Sequence, residues 1–272
     1  MTLAENAGKS ATVGGLETYY LEAGEGAPVV LVHGGGAGAD SWGNWRGVIP
    51  VLARHHRVIA VDMLGFGRTA KPDSGFVYSQ AARTAHLIAF LETMGLGGCA
   101  LVGNSMGGAT GIGVAVERPD LLRKLVLMGS AGLVTRIDPS LEPILGYDFT
   151  RDGMIRLVRA LTNEHYQIDD AMIDYRHALS VEEGTRRAYS ATMQWIREQG
   201  GLSYDEDYIA RVAVPTLVVN GKLDKVVPVA NAYKFLELIP HSWGYIIPEC
   251  GHWAMIEHPL DFARATEAFV DG

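Results

Sequence analysis

The sequence has few cysteines, a deficit of basic residues and no recognisable targeting segment. Its two cysteines, Cys99 and Cys250, are too few for a disulfide framework, so we expect a reduced, cytoplasmic protein. Lysine and arginine total 23 against 31 acidic residues, and the net charge of −8 disfavours nucleic acid as a partner. Residues 1–5 show no basic segment followed by an apolar run, so we predict no secretory leader.

The longest uncharged segment, residues 93–116, does not have the composition of a membrane span. It contains eight glycines together with Asn104, Ser105 and Thr110. A strand, a tight turn and a closely packed helix fit such a segment better than one lipid-facing helix, so we predict no membrane partner. The H-E-x-x-H, paired C-x-x-C and Walker patterns are also missing, and we therefore predict no metal and no organic cofactor.

The remaining composition is that of a globular protein, with 48% hydrophobic and 20% charged residues in 272. Short apolar runs alternate with helical patterns, which predicts an α/β fold with a mostly parallel sheet and helices on both faces. A more polar run, residues 17–22, is predicted to be an edge strand after a polar tail. The predicted buried strands are 28–32, 57–62, 100–102, 124–128, 215–219 and 243–247.

The alternation is interrupted between residues 132 and 211. This segment is mostly helical in pattern, rich in charged and aromatic residues, and lacks the β-branched runs on either side of it. We predict an inserted helical cap over 132–211, and a core formed by 1–131 and 212–272.

A G-x-S-x-G motif at residues 103–107 follows a predicted strand and precedes a glycine-rich helix. In that context the serine lies on a strained strand-to-helix turn, which requires neighbours almost without side chains, such as Gly103 and Gly107. Ser105 is therefore a candidate nucleophile. The alternative is that Ser105 only caps the helix, as serine often does.

Two loops elsewhere supply the partners that a serine nucleophile needs. Asp224 follows the predicted strand 215–219, and His252 follows the strand 243–247. An imidazole takes the hydroxyl proton, and a carboxylate orients the imidazole. The chain order Ser105, Asp224, His252 is that of α/β-hydrolases, and all three residues follow the carboxyl ends of strands.

A tetrahedral oxyanion needs two preset backbone donors. We predict that these are the N–H groups of Met106, which follows the nucleophile, and of Gly35, in the loop after strand 28–32. That loop also fits a dinucleotide pattern, G-x-G-x-x-A, with Asp62 as the ribose acid. The dinucleotide hypothesis leaves Asp224 and His252 unexplained, and we favour a turn-forming role for Asp62.

These residues resemble the meta-cleavage product hydrolases of bacterial aromatic degradation, serine-dependent α/β-hydrolases that cleave a carbon–carbon bond. The resemblance covers nearly the whole chain from about residue 17, and two cap segments are most similar to the biaryl branch, which acts in carbazole and dibenzofuran breakdown. The matching segments are HGGGAG at 33–38, NWR at 44–46, DMLGFG at 62–67, GNSMGG at 103–108 and GHWA at 251–254, with YDFT at 147–150 and ATMQWIR at 191–197 in the cap.

The resemblance implies a substrate and the residues that bind it. The substrate would be a 2-hydroxy-6-oxo-6-arylhexa-2,4-dienoate, cleaved to 2-hydroxypenta-2,4-dienoate and an aromatic acid. His252 would protonate C5 before Ser105 attacks the C6 ketone. The family's substrate-binding positions correspond to Arg176, Asn44, Asn104, Trp253 and Gly34.

Several points stay open at the level of sequence. Arg186 or Arg187 could replace Arg176 as the carboxylate anchor. The aryl pocket is predicted from Ile144, Leu157, Leu161, Trp195, Met128 and Val227. A carboxylesterase and a non-catalytic binding protein of the same fold are alternative functions. The sequence does not decide whether the chain forms a homo-oligomer.

Overall fold

A computed structural model of the protein describes residues 8–73 and 75–272. Residues 1–5, on which the prediction about a leader depends, lie outside these ranges. The strands are β1 (Lys9–Val13), β2 (Leu16–Ala23), β3 (Ala27–Val32), β4 (His56–Val61), β5 (Cys99–Asn104), β6 (Leu122–Met128), β7 (Leu133–Val134), β8 (Leu202–Ser203), β9 (Thr216–Gly221) and β10 (Ser242–Ile247). The α-helices are α1 (Ser41–Trp45), α2 (Ile49–Leu52), α3 (Gln80–Thr93), α4 (Met106–Glu117), α5 (Glu142–Leu145), α6 (Arg151–Leu161), α7 (Asp170–Val181), α8 (Glu183–Glu198), α9 (Glu206–Ile209), α10 (Val229–Leu238), α11 (Ala254–Glu257) and α12 (Pro259–Asp271).

The predicted mostly parallel sheet is confirmed. Across residues 8–73 and 75–272 the main sheet has eight strands in the spatial order β1-β2-β4-β3-β5-β6-β9-β10. The pairs β1–β2 and β2–β4 are antiparallel, and all other pairs are parallel. Strands β3 and β5 are buried along most or all of their length, which explains their nearly continuous apolar sequences.

The helices of the core fall into two groups. In one group, α3 contacts α4, α4 contacts α9, and α9 contacts α10. In the other group, α1 contacts α11, α11 contacts α12, and α12 contacts α2. Each group also contacts strands of the sheet, so the sheet is covered on both faces, as predicted. None of the helices within the described ranges is long and apolar enough to cross a membrane.

The segment predicted to be a cap, residues 132–211, contains helices α5 to α9, of which α9 packs on the core helices α4 and α10. The short strands β7 and β8 pair antiparallel at the base of this segment, so the chain leaves the core and returns to it at neighbouring points. Helix α6 packs on α7, and α7 packs on α8. The helical pattern expected for this segment is therefore present, while its status as a separate domain stays a prediction.

The prediction of a polar tail followed by an edge strand is wrong. Residues 9–13 form β1, which lies at the edge of the sheet, and β2 pairs on both sides. Strand β1 has only five residues, most of them exposed, so its sequence lacks a clear alternation of apolar and polar residues. Gly14 and Gly15, both with positive φ, connect the two strands, and this two-glycine hairpin turn was the available signal.

Candidate active site

Ser105 lies at the junction of β5 and α4 in a strained backbone conformation. Its φ of 52° is positive, a geometry that costs a non-glycine residue about 1–3 kcal/mol. The backbone holds this geometry because the Ser105 N–H donates to the Met128 carbonyl (3.0 Å) and the Ser105 carbonyl accepts from Ala131 (3.1 Å). The hydroxyl makes no capping hydrogen bond to α4, so the structure gives no support to a purely capping role.

The glycines of the motif are required by close backbone approach. A Cβ on Gly103 would lie 2.5 Å from the Gly107 carbonyl oxygen, and one on Gly107 would lie 2.4 Å from the His33 carbonyl oxygen. A Cβ on Gly108 would lie 2.3 Å from the Ser130 hydroxyl. Any side chain at these positions would push the turn away from β3 and β6, and Ser105 would move with it.

Asp224 and His252 are joined by a buried hydrogen bond. The distance from His252 Nδ1 to Asp224 Oδ2 is 2.7 Å, and both side chains are almost fully buried. The other carboxylate oxygen accepts from the backbone N–H groups of Val226 and Val227, each at 2.8 Å. With Nδ1–H donating to the carboxylate, Nε2 is left as the acceptor for a hydroxyl proton. His252 and Ser105 line the same cavity.

Glu257, which the sequence reasoning missed, fixes the loop that carries His252. Its carboxylate accepts from the backbone N–H groups on both sides of His252 (3.1 and 3.2 Å) and from Asn163 in the cap segment (2.7 Å). Burial raises the pKa of this carboxyl group, and the backbone donors counteract that effect. The His252 N–H donates to Leu161 (3.0 Å), so core and cap both restrain the loop.

The predicted oxyanion loop lies directly against the nucleophile turn. A Cβ on Gly35 would lie 2.4 Å from Met106 Cε, and one on Gly34 would lie 2.7 Å from Asn104 Oδ1 and 3.2 Å from Ser105 Cβ. Gly34, Gly35 and Met106 also line the cavity. The loop can therefore approach Ser105 only because these two positions carry no side chain; the donor roles of the Gly35 and Met106 N–H groups remain predictions.

His33 holds this loop in place. Its Nδ1 donates to the Gly34 carbonyl (2.8 Å), and its Nε2 accepts from the Met63 N–H (3.0 Å). Complete burial lowers the pKa of the imidazole to about 4, so it is neutral at pH 7 and matches this pattern of one donor and one acceptor. His33 is therefore a structural residue of the loop.

Asp62 makes the hydrogen bonds to backbone N–H groups that are expected of a turn-forming residue. One carboxylate oxygen accepts from the Ser41 N–H (2.7 Å), and the other accepts from the Arg68 N–H (2.8 Å). A Cβ on Gly67, which has a positive φ, would lie 2.0 Å from that second oxygen. Both oxygens bind backbone groups within the protein, which argues against a ribose-binding role.

Arg176 is a buried cation whose hydrogen-bond partners in the described chain are neutral groups. Its guanidinium donates to Asn44 Oδ1 (3.2 Å) and to the Ala37 carbonyl (3.1 Å), and it stacks on Trp253 at 4.6 Å from the ring centroid. Within residues 8–73 and 75–272 it forms no salt bridge, although it is only 1% exposed. Burial lowers its pKa to about 10, so the group is still charged at pH 7. The nearby charge of Asp40 counteracts part of this effect and so compensates the cation only in part. A buried guanidinium that lines a cavity and forms no salt bridge is suited to an anionic ligand.

The two alternative arginines do not share this environment. Both side chains are exposed; Arg186 lies over the Phe149 ring, and Arg187 forms a salt bridge with Asp73. Neither lines the cavity that contains Ser105. Of the three candidates, Arg176 is the one whose position suits a carboxylate anchor.

The cavity combines a polar group of residues with an apolar group. Its polar lining includes three buried atoms without a partner in the described chain: Asn44 Nδ2, Asn104 Oδ1 and Arg176 Nε. Buried polar atoms are normally hydrogen-bonded, so these atoms point to a polar ligand. The apolar lining consists of Met106, Ala131, Val134, Leu141, Ile144, Leu145, Leu161, Met193, Ile196, Leu202, Val226, Val227 and Trp253.

Half of the predicted aryl pocket is misplaced. Ile144, Leu161 and Val227 line the cavity, but Leu157, Trp195 and Met128 do not. Trp195 instead lies 5.6 Å from the Arg83 guanidinium, and Met128 is fully buried in β6. Helical spacing identifies an apolar face and does not show whether that face borders a cavity or a neighbouring helix.

The described residues contain no group of three or more His, Cys, Asp or Glu side chains arranged to hold a metal ion. The absence of a cofactor stays a prediction from the sequence.

Comparison with known proteins connects this geometry to a group of characterised enzymes. The profile of the alpha/beta hydrolase family matches residues 29–265. A 2-hydroxy-6-oxo-6-(2'-aminophenyl)hexa-2,4-dienoic acid hydrolase from Metapseudomonas resinovorans is 65% identical, over 94% of this chain and 88% of that protein.

Solved structures agree in fold over almost the whole chain. A serine hydrolase involved in carbazole degradation has a TM-score of 0.91 and 62% identity, covering 97% of this chain and 98% of that one. A meta-cleavage product hydrolase from Pseudomonas fluorescens, solved as a serine-to-alanine mutant complexed with acetates, has a TM-score of 0.90 and 31% identity with the same coverage.

Proposed function

This chain belongs to the α/β-hydrolase family and, within it, to the meta-cleavage product hydrolases, and on that premise we propose that it hydrolyses 2-hydroxy-6-oxo-6-arylhexa-2,4-dienoates. The enzyme is a C–C bond hydrolase. The observation that carries the proposed substrate is one cavity in which a buried Arg176, held by neutral hydrogen-bond partners, and an extensive apolar lining accompany Ser105 and His252. A substrate with a carboxylate at one end and an aryl ketone at the other satisfies both parts of that lining.

We place the carboxylate and the 2-oxygen at the polar end of the cavity. Arg176 binds the carboxylate, since a guanidinium donates two parallel hydrogen bonds and carries the opposite charge. Asn44 and Asn104 offer an unpaired N–H group and an unpaired oxygen, respectively, to the 2-oxygen and its hydroxyl proton. The aryl group then lies among the apolar side chains, where its burial is favourable.

The first chemical step is a proton transfer. His252 takes up the 2-hydroxyl proton and delivers a proton to C5, so the dienol becomes a 2,6-diketone with one remaining double bond. Only the ketone form can accept the electron pair that is released when C5–C6 breaks. The buried pair of His252 and Asp224 suits this role because the carboxylate stabilises the imidazolium.

Bond cleavage follows through a covalent intermediate. Ser105 loses its proton to His252 and attacks C6, and the N–H groups of Met106 and Gly35 stabilise the oxyanion. When the tetrahedral intermediate collapses, the C5–C6 electron pair moves into the conjugated chain and onto the 2-oxygen. That oxygen takes the proton that His252 received from Ser105, which gives 2-hydroxypenta-2,4-dienoate and leaves His252 neutral. Water activated by His252 then hydrolyses the acyl-enzyme to the aromatic acid.

An assay on two substrates tests this function against its alternatives. We expect the purified protein to turn over an aryl dienoate with kcat/KM at least tenfold above that for p-nitrophenyl acetate, which has no carboxylate to bind Arg176. The yellow colour of the dienoate and the released nitrophenolate report the two reactions. Faster ester turnover would favour a carboxylesterase, and no turnover of either would favour a binding protein.

Loss of the carboxylate anchor should weaken substrate binding more than it slows chemistry. Arg176→Ala is expected to reduce the affinity for the dienoate by about 2–5 kcal/mol, because a buried charge pair is broken. Single-turnover experiments at rising substrate concentration separate affinity from the cleavage rate.

Arg186→Ala is the control for Arg176→Ala, since Arg186 is an exposed cation of the cap that lies outside the cavity. It should leave dienoate affinity within about threefold of wild type. Unchanged affinity in Arg176→Ala would contradict the assignment of the anchor.

A further inference from the structure

The loop of residues 37–40 contacts cap helix α7 at Tyr175 and Arg176. The Ala37 carbonyl accepts from the Arg176 guanidinium (3.1 Å). A Cβ on Gly38, which has a φ of +64°, would lie 2.0 Å from the Arg176 carbonyl oxygen, so the two backbones are in direct contact. The Tyr175 hydroxyl donates to Asp40 Oδ2 at 2.5 Å. Core and cap therefore meet at the proposed carboxylate anchor.

Asp40 contacts both elements that supply polar residues to the cavity. Its Oδ1 accepts from the Gly43 N–H (2.7 Å) and caps the N-terminus of α1, the helix that carries Asn44. Its Oδ2 binds Tyr175, the neighbour of Arg176 on α7. The carboxylate is 3% exposed, so water does not compete strongly for either contact.

We propose that Asp40 is a positioning residue that, through Tyr175, aligns Arg176 of the cap with Asn44 of the core for recognition of the substrate carboxylate. The two aligned side chains bond each other (3.2 Å). A guanidinium binds a carboxylate well only in a narrow range of orientations, so a shift of α7 weakens that contact. This inference rests on the proposed function, because it assumes that Arg176 binds the substrate.

The positioning role of Asp40 predicts that breaking its bond to Tyr175 weakens the binding of carboxylate-bearing substrates selectively. Tyr175→Phe removes the hydroxyl that binds Asp40 and leaves the cap of α1 intact. We expect KM for the aryl dienoate to rise about tenfold while kcat changes less than about threefold. Kinetic constants for p-nitrophenyl acetate should stay within about twofold of wild type. A general loosening of the cap would alter both substrates alike and would overturn the proposal.

A double-mutant cycle tests whether Asp40 acts through Tyr175. Asp40→Ser keeps a side chain that caps α1 but removes the oxygen that accepts from Tyr175. If the two residues act as a pair, the double variant Asp40→Ser/Tyr175→Phe should have a dienoate KM close to that of the more impaired single variant. Fully additive effects would show that Asp40 acts by another route and would contradict the proposal.

Tyr204→Phe is the matched control, since its hydroxyl also donates to the core, at the Ala109 carbonyl (3.0 Å), and Tyr204 does not line the cavity. It should leave the dienoate KM within about twofold of wild type. The Arg176→Ala experiment distinguishes a failure of the positioning role of Asp40 from a failure of the proposed function. If that variant loses affinity and Tyr175→Phe does not, positioning by Asp40 is wrong while the proposed function stands. If Arg176→Ala keeps full affinity, the anchor itself is wrong.

Discussion

Replacing His252 with alanine should lower kcat for dienoate hydrolysis by about 10⁶. Members of a serine triad act as a unit, and loss of the base alone costs about that factor in a comparable enzyme. Here the imidazole is also the proposed proton donor to C5, so the variant should lose the step before cleavage as well. The bound substrate should therefore keep the absorption spectrum of the dienol.

Steady-state and stopped-flow absorbance measurements on His252→Ala check both parts of this prediction. His55→Ala is a suitable control, because His55 is an exposed histidine that does not line the active-site cavity. Thermal unfolding of the variant should show that the fold persists, since Asp224 keeps its bonds to the Val226 and Val227 N–H groups. A loss of less than about tenfold in kcat would contradict the role of His252 as the base.

The sheet and the active-site loops were predictable because strong local patterns determine them. Apolar runs bounded by glycine and proline identify buried strands, and the carboxyl ends of parallel strands meet at one edge of the sheet. Ser105 and His252 follow such strands, and both line one cavity. Strand β1 was missed because its residues are exposed and mostly polar, so they give no apolar signal.

Contacts between distant segments were not predictable. The burial of Arg176 depends on α7 packing against the loop of residues 37–40, more than 130 positions earlier in the chain. The bond from Tyr175 to Asp40 and the contacts of Glu257 with the His252 loop have the same character. Sequence periodicity describes one element at a time, and it contains no information about which distant surface that element meets.

The placement of Trp195 shows this limit within the cap. Its position on α8 fits an apolar pocket as well as it fits a helix interface, and the structure places it against Arg83. Arg83 is itself buried, and its guanidinium donates to the Tyr78 carbonyl. Trp195 lies at a helix interface because it packs against Arg83 of α3, and the sequence pattern of α8 alone does not reveal that partner.

Replacing Ser105 with alanine should abolish cleavage and preserve binding. The variant removes the attacking oxygen and leaves Arg176, His252 and the Gly35 loop in place, so the affinity for the dienoate should change little. The cleavage rate should fall by about 10⁶, the cost of losing the nucleophile in a comparable triad. Ser130→Ala is the control. Ser130 is a buried serine beside α4, the helix that follows Ser105, and its hydroxyl donates to the Ala131 carbonyl.

The central claim is that Ser105 forms the acyl-enzyme, and the stopped-flow absorption spectrum of Ser105→Ala mixed with a coloured aryl dienoate tests it most directly. Because His252 remains, we predict a rapid spectral shift as the dienol is converted to the bound ketone, followed by a species that persists without release of 2-hydroxypenta-2,4-dienoate. Cleavage at a rate near that of wild type would mean that His252 activates water directly, and the acyl-enzyme mechanism would be wrong.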